Sequence, residues 1–347
     1  MKRTQKKILG REQELATLNE FYRSTKAQFL ALYGRRRIGK TFLIREFAQA
    51  QSEAIFFDVT GIHKGSKQEQ ITSFEDSFQR VFNHEHSIRF TTWRQAFKAL
   101  TKEIKKRKEK IIVFLDELPW LATPKSNLIS NVDYFWNTEW SRLDNVKLVI
   151  CGSAAAWMID NVINDKGGLH NRTTHRINLQ AFKLKEVKSF LDAKGVRYTD
   201  NQVIQSYLAV GGVAYYLDNF KKSLSPEQNI DKLCFTENGI LVNEYNLLFA
   251  SLFKNSEEHV KVIELLSKRR TGVRRSVIEE KIKGNITRIL SQIEAAGFIK
   301  KYTPYGKNKR DSYYRVIDEY SLFYKYFIQP VMHSSFCLLY TSPSPRD

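Results

Sequence analysis

The chain of 347 residues is long enough for two or three domains, each with a core of its own. Lys and Arg outnumber Asp and Glu by 56 to 37, and the formal net charge of +19 favours a polyanionic partner, with a merely soluble basic surface as the alternative. The 3 scattered cysteines form no CxxC pair, and no run of apolar residues is long enough for a signal-peptide core or a membrane span. These features argue against a disulfide framework, a thiolate metal site and a membrane partner, and they predict a cytoplasmic protein.

Strand-like apolar segments alternate with helical patterns through the first half of the chain. Alternation of this kind predicts an α/β fold with a mostly parallel sheet and helices on both faces, over residues 1–183. Because strands of such a sheet are buried on both sides, their sequences are continuously apolar. Five segments fit this description: FLALYG, AIFFDVTG, KIIVFLDEL, VKLVICGS and HRINLQ.

Helical patterns separated by glycines follow from Leu184, which predicts a small helical lid over residues 184–254. Residues 255–330 then show two helices, a turn, a third helix and a hairpin, the order of a winged helix-turn-helix. The tail, residues 331–347, ends in SSFCLLYTSPSPRD. This segment has no periodicity and resembles a sequencing-adapter read-through, so we expect it to be non-native or, alternatively, a disordered terminus.

The segment GRRRIGKT matches the phosphate-binding pattern G-x-x-x-x-G-K-[ST] at every fixed position, between a predicted strand and a predicted amphipathic helix. Its backbone N–H groups and the positive end of the helix are expected to hold the phosphates of ATP. Lys40 is predicted to reach the outer phosphates, and the Thr41 hydroxyl to bind Mg²⁺. The three arginine side chains are expected to face outward at the rim, where they screen ATP or meet a neighbouring subunit. The predicted nucleotide-binding loop comprises Gly34, Arg35, Arg36, Arg37, Ile38, Gly39, Lys40 and Thr41.

Two further apolar strands end in polar residues. Asp116 and Glu117 follow IIVFL, and the sequence predicts that Asp116 holds the metal while Glu117 orients the attacking water; a helix N-cap is the alternative. Ser153 follows the next strand and is either a sensor of the terminal phosphate or an N-cap. Arg172 or Arg176, in a glycine-led segment, is a candidate arginine finger, with an ordinary surface arginine as the alternative.

Six segments in this order resemble the prokaryotic ATPases described as predominantly archaeal, a branch of the STAND NTPases related to AAA+ proteins: ILGREQELATL, YGRRRIGKT, VFLDELPWL, ICGSAAAWM, GGLHNRTTHRINL and AVGGVAYYLDNF. The resemblance covers roughly residues 8 to 330. It implies binding of ATP with Mg²⁺, slow or regulated hydrolysis, and in many members a further C-terminal domain. By position it puts Gly10 and Arg11 beside the adenine, Ser153 at the sensor and Arg172 at the family's Gly-Arg. Asn171 departs from the family's glycine there, which weakens the assignment of Arg172, and Ala214 departs from its proline.

The region from Lys254 to Arg315 carries 16 Lys or Arg against 7 Asp or Glu. Within it, Asn285 is predicted to cap a helix with an apolar face of Ile286, Ile289, Leu290 and Ile293. The opposite face, formed by Thr287, Arg288, Ser291 and Gln292, suits a DNA major groove, and YGKNKRD would be the wing tip. Bracing of the ATPase core and self-assembly remain alternatives to DNA contact. The helical stripe of Tyr320, Phe323, Tyr324 and Phe327 is expected to lie in the core.

The sequence therefore predicts an ATPase that couples ATP binding or hydrolysis to conformational change, with DNA and a second copy of the chain as candidate partners. The alternative is a nucleotide-gated DNA-binding switch with negligible hydrolysis. Salt-dependent DNA affinity with and without ATP would separate the two.

Overall fold

The computed structural model describes residues 7–83, 88–163, 169, 171–253, 256–306 and 312–333. The chain divides into two compact units. The first comprises Met1–Arg35 and Gly39–Leu179, and the second comprises Arg36–Ile38 and Gln180–Asp347. Within the described residues, no helix has the length and apolarity that crossing a membrane requires.

The first unit is an α/β layer structure with a five-stranded parallel sheet in the order β2-β3-β4-β1-β5. The predicted parallel sheet is thereby confirmed. A 3₁₀ turn at Trp140–Arg142 and a π-helical stretch at Ile159–Ile163 add to its regular elements. Those elements are α1 (Glu12–Arg23), β1 (Gln28–Tyr33), α2 (Lys40–Gln49), β2 (Ile55–Thr60), α3 (Lys67–Phe82), α4 (Trp93–Lys105), β3 (Ile111–Asp116), α5 (Leu118–Leu121), α6 (Leu128–Thr138), β4 (Val146–Gly152), α7 (Ala155–Met158) and β5 (His175–Asn178).

Two interior strands of this sheet, β3 and β4, explain the continuous apolar segments. Every residue of β3 and of β4 is buried, as expected for strands covered by helices on both sides. Polar side chains at the ends of the helices fix where they begin: Ser66 and Glu69 form a reciprocal capping box at α3, and Thr92 caps α4. Aromatic rings fill the space between these helices and the sheet, including Phe57, Phe74, Phe78, Trp93 and Phe97.

The second unit is mainly helical, with one antiparallel sheet of three short strands in the order β6-β8-β7. Its hydrophobic core is a single cluster that extends from Phe182 to Ile328. A π-helical stretch covers Tyr324–Ile328. The regular elements are α8 (Leu184–Ala193), α9 (Asp200–Val210), α10 (Ala214–Asp218), α11 (Pro226–Cys234), α12 (Glu244–Leu252), α13 (Ser256–Ser267), β6 (Val273–Arg274), α14 (Arg275–Lys281), α15 (Ile286–Ala295), β7 (Ile299–Tyr302), β8 (Tyr313–Val316), α16 (Glu319–Phe323) and α17 (Gln329–His333).

Helix α15 forms as its sequence predicts. The Asn285 side chain accepts a hydrogen bond from the backbone N–H of Arg288 at 3.1 Å, and the four predicted apolar residues are buried. Gly297 follows the helix with φ of 80°, a left-handed conformation that favours glycine. On the polar face, Thr287, Arg288 and Ser291 are exposed.

The aromatic stripe near the end of the second unit is only partly in the core, which corrects our expectation for Phe327. Tyr320 and Tyr324 are buried, but Phe327 is 56% exposed, and Ile328 is buried instead. The π-helical stretch supplies the reason, because its wider turn delays the return to the buried side by a residue. Residues 307–311 of the predicted wing tip, and residues 334–347 of the tail, lie outside the described residues.

Candidate functional site

Three adjacent strands, in the order β3-β4-β1, bring the predicted site residues to one edge of the sheet. All three strands are parallel, so their carboxyl ends lie at the same edge. Asp116 is the last residue of β3, Ser153 follows β4, and Gly34 follows β1. The phosphate-loop sequence and the two polar strand ends are therefore neighbours, as the sequence predicts for a ligand site in an open sheet.

The loop after β1 turns on two glycines in backbone conformations that other residues rarely adopt. Gly34 has φ of 143° and Gly39 has φ of 94°, and α2 begins directly at Lys40. The Lys40 side chain is buried, and its Nζ donates to the carbonyl oxygens of Gly34 at 2.9 Å and Arg35 at 2.7 Å. The ammonium group is therefore held over the inside of the loop that leads into the helix N-terminus, where an anion is favoured.

Thr41 and Asp116 meet although they are 75 residues apart in the sequence. The Thr41 hydroxyl donates to Asp116 Oδ2 at 2.7 Å, and the other carboxylate oxygen, Oδ1, accepts from the backbone N–H of Glu117 at 3.0 Å. Asp116 is almost completely buried. A hydroxyl and a carboxylate at hydrogen-bond distance, beside a buried lysine, form a compact set of hard oxygen donors.

The backbone of Glu117 takes a left-handed conformation, with φ of 48° and ψ of 50°, which costs about 1–3 kcal/mol in a non-glycine residue. Gly61 packs against this turn, because a Cβ at that position would lie 2.7 Å from the Glu117 carbonyl oxygen. The Glu117 side chain caps no helix; its Oε2 accepts from Ser153, from the backbone N–H at 3.2 Å and from Oγ at 2.9 Å. The turn thus directs the carboxylate to the end of β4.

Ser153 is not the N-cap of the following helix. Helix α7 has Ala154 at its N-cap position, without a side-chain cap, and the Ser153 hydroxyl is directed to Glu117. The N-cap alternative for Ser153 is therefore wrong, and so is a side-chain capping role for Glu117. Both side chains belong to one hydrogen-bonded group at the sheet edge.

Cys151 is a neighbour of this group that the sequence reasoning missed. Burial, and secondarily the nearby Asp116 carboxylate, raise the pKa of its thiol well above the ordinary value, so it is a neutral thiol. The only available signal was its spacing of two residues from Ser153, which puts both side chains on the same face of the chain at the end of β4.

The three arginines of the loop do not form the outward-facing rim that we expected. Arg35 is only 7% exposed, and its carbonyl oxygen accepts a hydrogen bond from Lys40 Nζ at 2.7 Å inside the loop. Arg36 and Arg37 are half-buried. The three arginines also belong to different units. Arg35 is part of the first unit, whereas Arg36–Ile38 are part of the second.

Arg37 makes its contacts inside the second unit. Its guanidinium lies 3.0 Å from Glu244 Oε2 and 4.3 Å from the centre of the Tyr215 ring, while its carbonyl oxygen accepts from the Tyr215 backbone N–H at 3.2 Å. Glu244 is almost fully buried and also accepts from the Tyr216 hydroxyl at 2.9 Å. The pair is thus a buried carboxylate neutralised by a partly buried guanidinium.

Other predicted site residues lie outside the hydrogen-bonded group of Glu117 and Ser153. Gly10 has φ of 58°, and Arg11 is buried at the N-cap position of α1 with its guanidinium 3.5 Å from Glu14. Asn171 has φ of 60°, so it takes the conformation in which glycine is favoured and asparagine is tolerated. Arg172, the next residue, is exposed, and its backbone N–H donates to Leu169.

The sheet order and the glycine-framed loop before α2 define the fold of P-loop nucleotide-binding proteins. The family described as the ATPase domain predominantly from Archaea matches residues 8–220, and the chain belongs to that family.

One sequence relative covers most of the chain, and two solved structures are similar in fold. An uncharacterized protein of Methanocaldococcus jannaschii is 27% identical over 332 residues, which cover 93% of this chain and 69% of that protein. The solved structure of a Walker-type ATPase of Pyrococcus abyssi has a TM-score of 0.63 at 18% identity, covering 91% of this chain and 95% of that one. The ORC2 protein of Aeropyrum pernix, in its ADPNP–ADP complexes, has a TM-score of 0.57 at 13% identity, covering 96% and 97%.

Proposed function

We propose that the protein is a Mg²⁺-dependent ATPase that couples ATP binding or hydrolysis to a conformational change. The observation that carries the proposal is the 2.7 Å hydrogen bond from Thr41 to Asp116, which joins the phosphate loop to the end of β3. The match of residues 8–220 to an ATPase-domain family supports ATP as the bound nucleotide.

The donor set fits a magnesium ion shared with phosphates. Mg²⁺ binds hard oxygen ligands and is usually held by one or two carboxylates together with substrate phosphates. Thr41 and Asp116 offer a hydroxyl and a carboxylate within hydrogen-bond distance of each other. The bound ion would neutralise charge on the phosphates and bring their oxygens into a defined position. Lys40, now bonded to the loop carbonyls, would turn its ammonium group to the outer phosphates.

Glu117 is the residue that we assign to the attacking water. Hydrolysis breaks the bond between the terminal phosphorus and its bridging oxygen, while the water oxygen forms the new bond and gives up a proton. The Glu117 carboxylate would orient that water and accept its proton. Ser153 positions the carboxylate through its backbone N–H and its hydroxyl. Arg172, which is exposed, remains our proposal for an arginine finger acting within the chain or on a neighbouring copy.

We interpret the last part of the second unit as a winged helix. The order α13, β6, α14, α15, β7, β8 and the antiparallel strand order β6-β8-β7 support this interpretation. The exposed Thr287, Arg288 and Ser291 of α15 would face duplex DNA, whereas Gln292 is already bonded to His259 at 2.9 Å. DNA is therefore our proposed partner of the ATPase.

Turnover and ATP binding of three variants test the proposal. Lys40→Ala should weaken ATP binding and abolish measurable turnover, because it removes the positive charge at the phosphates. Glu117→Gln should keep ATP affinity and lower turnover by about 10²–10⁴-fold, the usual contribution of an acid–base group. Ser153→Ala should lower turnover by only about tenfold, since the backbone N–H still holds the carboxylate and a hydrogen bond to a charged group is worth about 1.5–3 kcal/mol.

The matched control is Thr138→Ala, an exposed threonine of α6 in the same unit, which should leave both quantities unchanged. Wild-type affinity for ATP in Lys40→Ala would contradict the loop assignment. Unchanged turnover in Glu117→Gln would contradict the assignment of Glu117 to the attacking water, and it would leave the assignment of the ATP-binding loop unaffected. ATP-dependent DNA affinity without turnover in the wild type would instead support the switch with negligible hydrolysis.

A further inference from the structure

The three-stranded sheet of the second unit packs one face against the hydrophobic core, and its other face lies outside that core. Side chains alternate along each strand, and the register pairs Lys300 with Arg315, Tyr302 with Tyr313, and Arg274 with Tyr313. Val273, Ile299, Tyr314 and Val316 point the other way and are buried. We call the opposite side the outer sheet face and define it by Arg274, Lys300, Tyr302, Tyr313 and Arg315.

Basic and aromatic side chains alone make up this outer sheet face. Arg274, Lys300 and Arg315 are exposed, and Tyr302 and Tyr313 are half-buried. None of the described residues of β6, β7 and β8 is acidic. The turn that leads into β6 adds three exposed cations, Lys268, Arg269 and Arg270. The face therefore carries a concentrated positive charge that suits a polyanion.

Contacts within the face hold its side chains in place. Arg274 Nε donates to the Tyr313 hydroxyl at 2.6 Å, and the two tyrosine rings lie 5.8 Å apart. The Arg315 guanidinium lies 5.9 Å from the centre of the Tyr302 ring, whose hydroxyl donates to the Thr271 carbonyl oxygen. Ordered rings and guanidinium groups lose little conformational entropy when they bind a ligand.

We propose that the outer sheet face binds single-stranded nucleic acid, with bases stacked on Tyr302 and Tyr313 and phosphates held by Arg274, Lys300 and Arg315. Proteins that bind single strands combine a positive surface with aromatic side chains, because every base has a face that can stack. Tyr305, three residues after the end of β7, is fully exposed and offers a further ring. This surface is separate in sequence and element from the α15 residues proposed to face duplex DNA, and the inference does not depend on ATP hydrolysis.

Fluorescence anisotropy of the full chain, with labelled oligo(dT) of about 20 nucleotides and a duplex of equal length, tests the inference; single-strand sites span about 4–16 nucleotides. The single strand should bind in the absence of ATP. Tyr302→Leu should weaken single-strand binding by about fivefold or more, because it removes a stacking ring, and should leave any binding of the duplex through α15 unchanged. Arg315→Gln should reduce the slope of log affinity against log salt by about 0.7.

The matched control is Arg197→Gln, an exposed arginine between α8 and α9 of the same unit, which makes the same change of charge outside the face and should leave oligo(dT) affinity unchanged. Circular dichroism and urea unfolding of each variant establish that it is folded. An equal loss of oligo(dT) affinity in Arg197→Gln and Arg315→Gln would overturn the inference. So would wild-type affinity in Tyr302→Leu, whatever the outcome of the turnover experiment.

Discussion

At the scale of single residues, Lys147 is the most unusual side chain of the central sheet. It lies within the fully buried strand β4, where its Nζ donates to the carbonyl oxygens of Lys26 and Asp144. Burial lowers its pKa from 10.5 to about 8, and the nearby Lys110 adds to the effect. The strand thus tolerates a cation only because backbone oxygens surround it.

The lowered pKa makes a prediction for stability against pH. Between pH 8 and 10.5 the unfolded chain keeps the Lys147 proton while the folded chain loses it. The contribution of Lys147 to the free energy of unfolding therefore increases with pH across this window. In Lys147→Met this contribution should disappear. Urea unfolding of both proteins at several pH values across that window measures it, and tyrosine ionisation, which is common to both, cancels in the difference. A difference independent of pH would contradict the lowered pKa.

Sequence reasoning at this scale succeeded where a motif fixes both residue type and spacing. Gly34, Lys40, Thr41 and Asp116 could be assigned to one place because parallel strands end at the same edge. The contact between Glu117 and Ser153 could not, because it depends on a left-handed backbone conformation at a glutamate, which no propensity predicts. Burial of Arg35 was also missed, because the loop motif leaves this position variable and its residue type, arginine, is usually exposed.

At the scale of secondary-structure elements, close backbone approach decides a position that composition leaves open. A Cβ on Gly212 would lie 1.8 Å from the carbonyl oxygen of Phe182, whose backbone N–H donates to the Gly212 carbonyl oxygen at 2.8 Å. The chain before α8 and the chain before α10 are therefore in direct backbone contact. Only glycine permits that distance.

Gly212→Ala should accordingly lower the free energy of unfolding by about 3 kcal/mol or more, because backbone atoms must move apart and a hydrogen bond is lost. The matched control is Gly297→Ala, where φ is 80° but a Cβ would meet nothing within 4 Å. That change should cost only about 1 kcal/mol of backbone strain. Urea unfolding measures both values, and equal losses would show that the contact at Phe182 relaxes freely.

Most strands and helices could be predicted because their signals are local. Apolar segments gave the five strands of the sheet, and Asn285 gave the start of α15. The π-helical stretch at Tyr324–Ile328 could not be predicted, because a single wider turn has no sequence signature of its own and an ordinary helical period then misplaces Phe327.

At the scale of the whole molecule, the described residues form two large hydrophobic clusters, one in each unit. The core of the second unit crosses residue 254, which we predicted as the boundary between a lid and a winged helix. Tyr245 stacks on Tyr324 with ring centres 4.3 Å apart, and Phe249 lies 4.7 Å from Phe298. The boundary itself remains a prediction, but the residues on its two sides share one core.

A shared core predicts shared stability. Phe298→Ala should cost about 3–5 kcal/mol, and hydrogen exchange should then accelerate in α12 as well as in α15, because Phe249 loses its partner. The matched control is Phe327→Ala, which removes a ring that is 56% exposed and should cost less than about 1 kcal/mol. Faster exchange confined to residues 256–333 would indicate that the elements before residue 254 are stable alone.

Arg37 shows that a residue within the phosphate-loop motif can have a role in packing. The signature fixes Gly34, Gly39, Lys40 and Thr41 and leaves the residues between them variable. At one of those variable positions Arg37 has φ of 70° and contacts Glu244 and Tyr215, so its side chain serves the packing of the second unit. A loss of activity in an Arg37 variant would therefore be ambiguous as a test of phosphate binding. Comparison with Lys40 variants separates loss of phosphate binding from loss of packing, because Lys40 contacts the loop and Arg37 contacts the second unit.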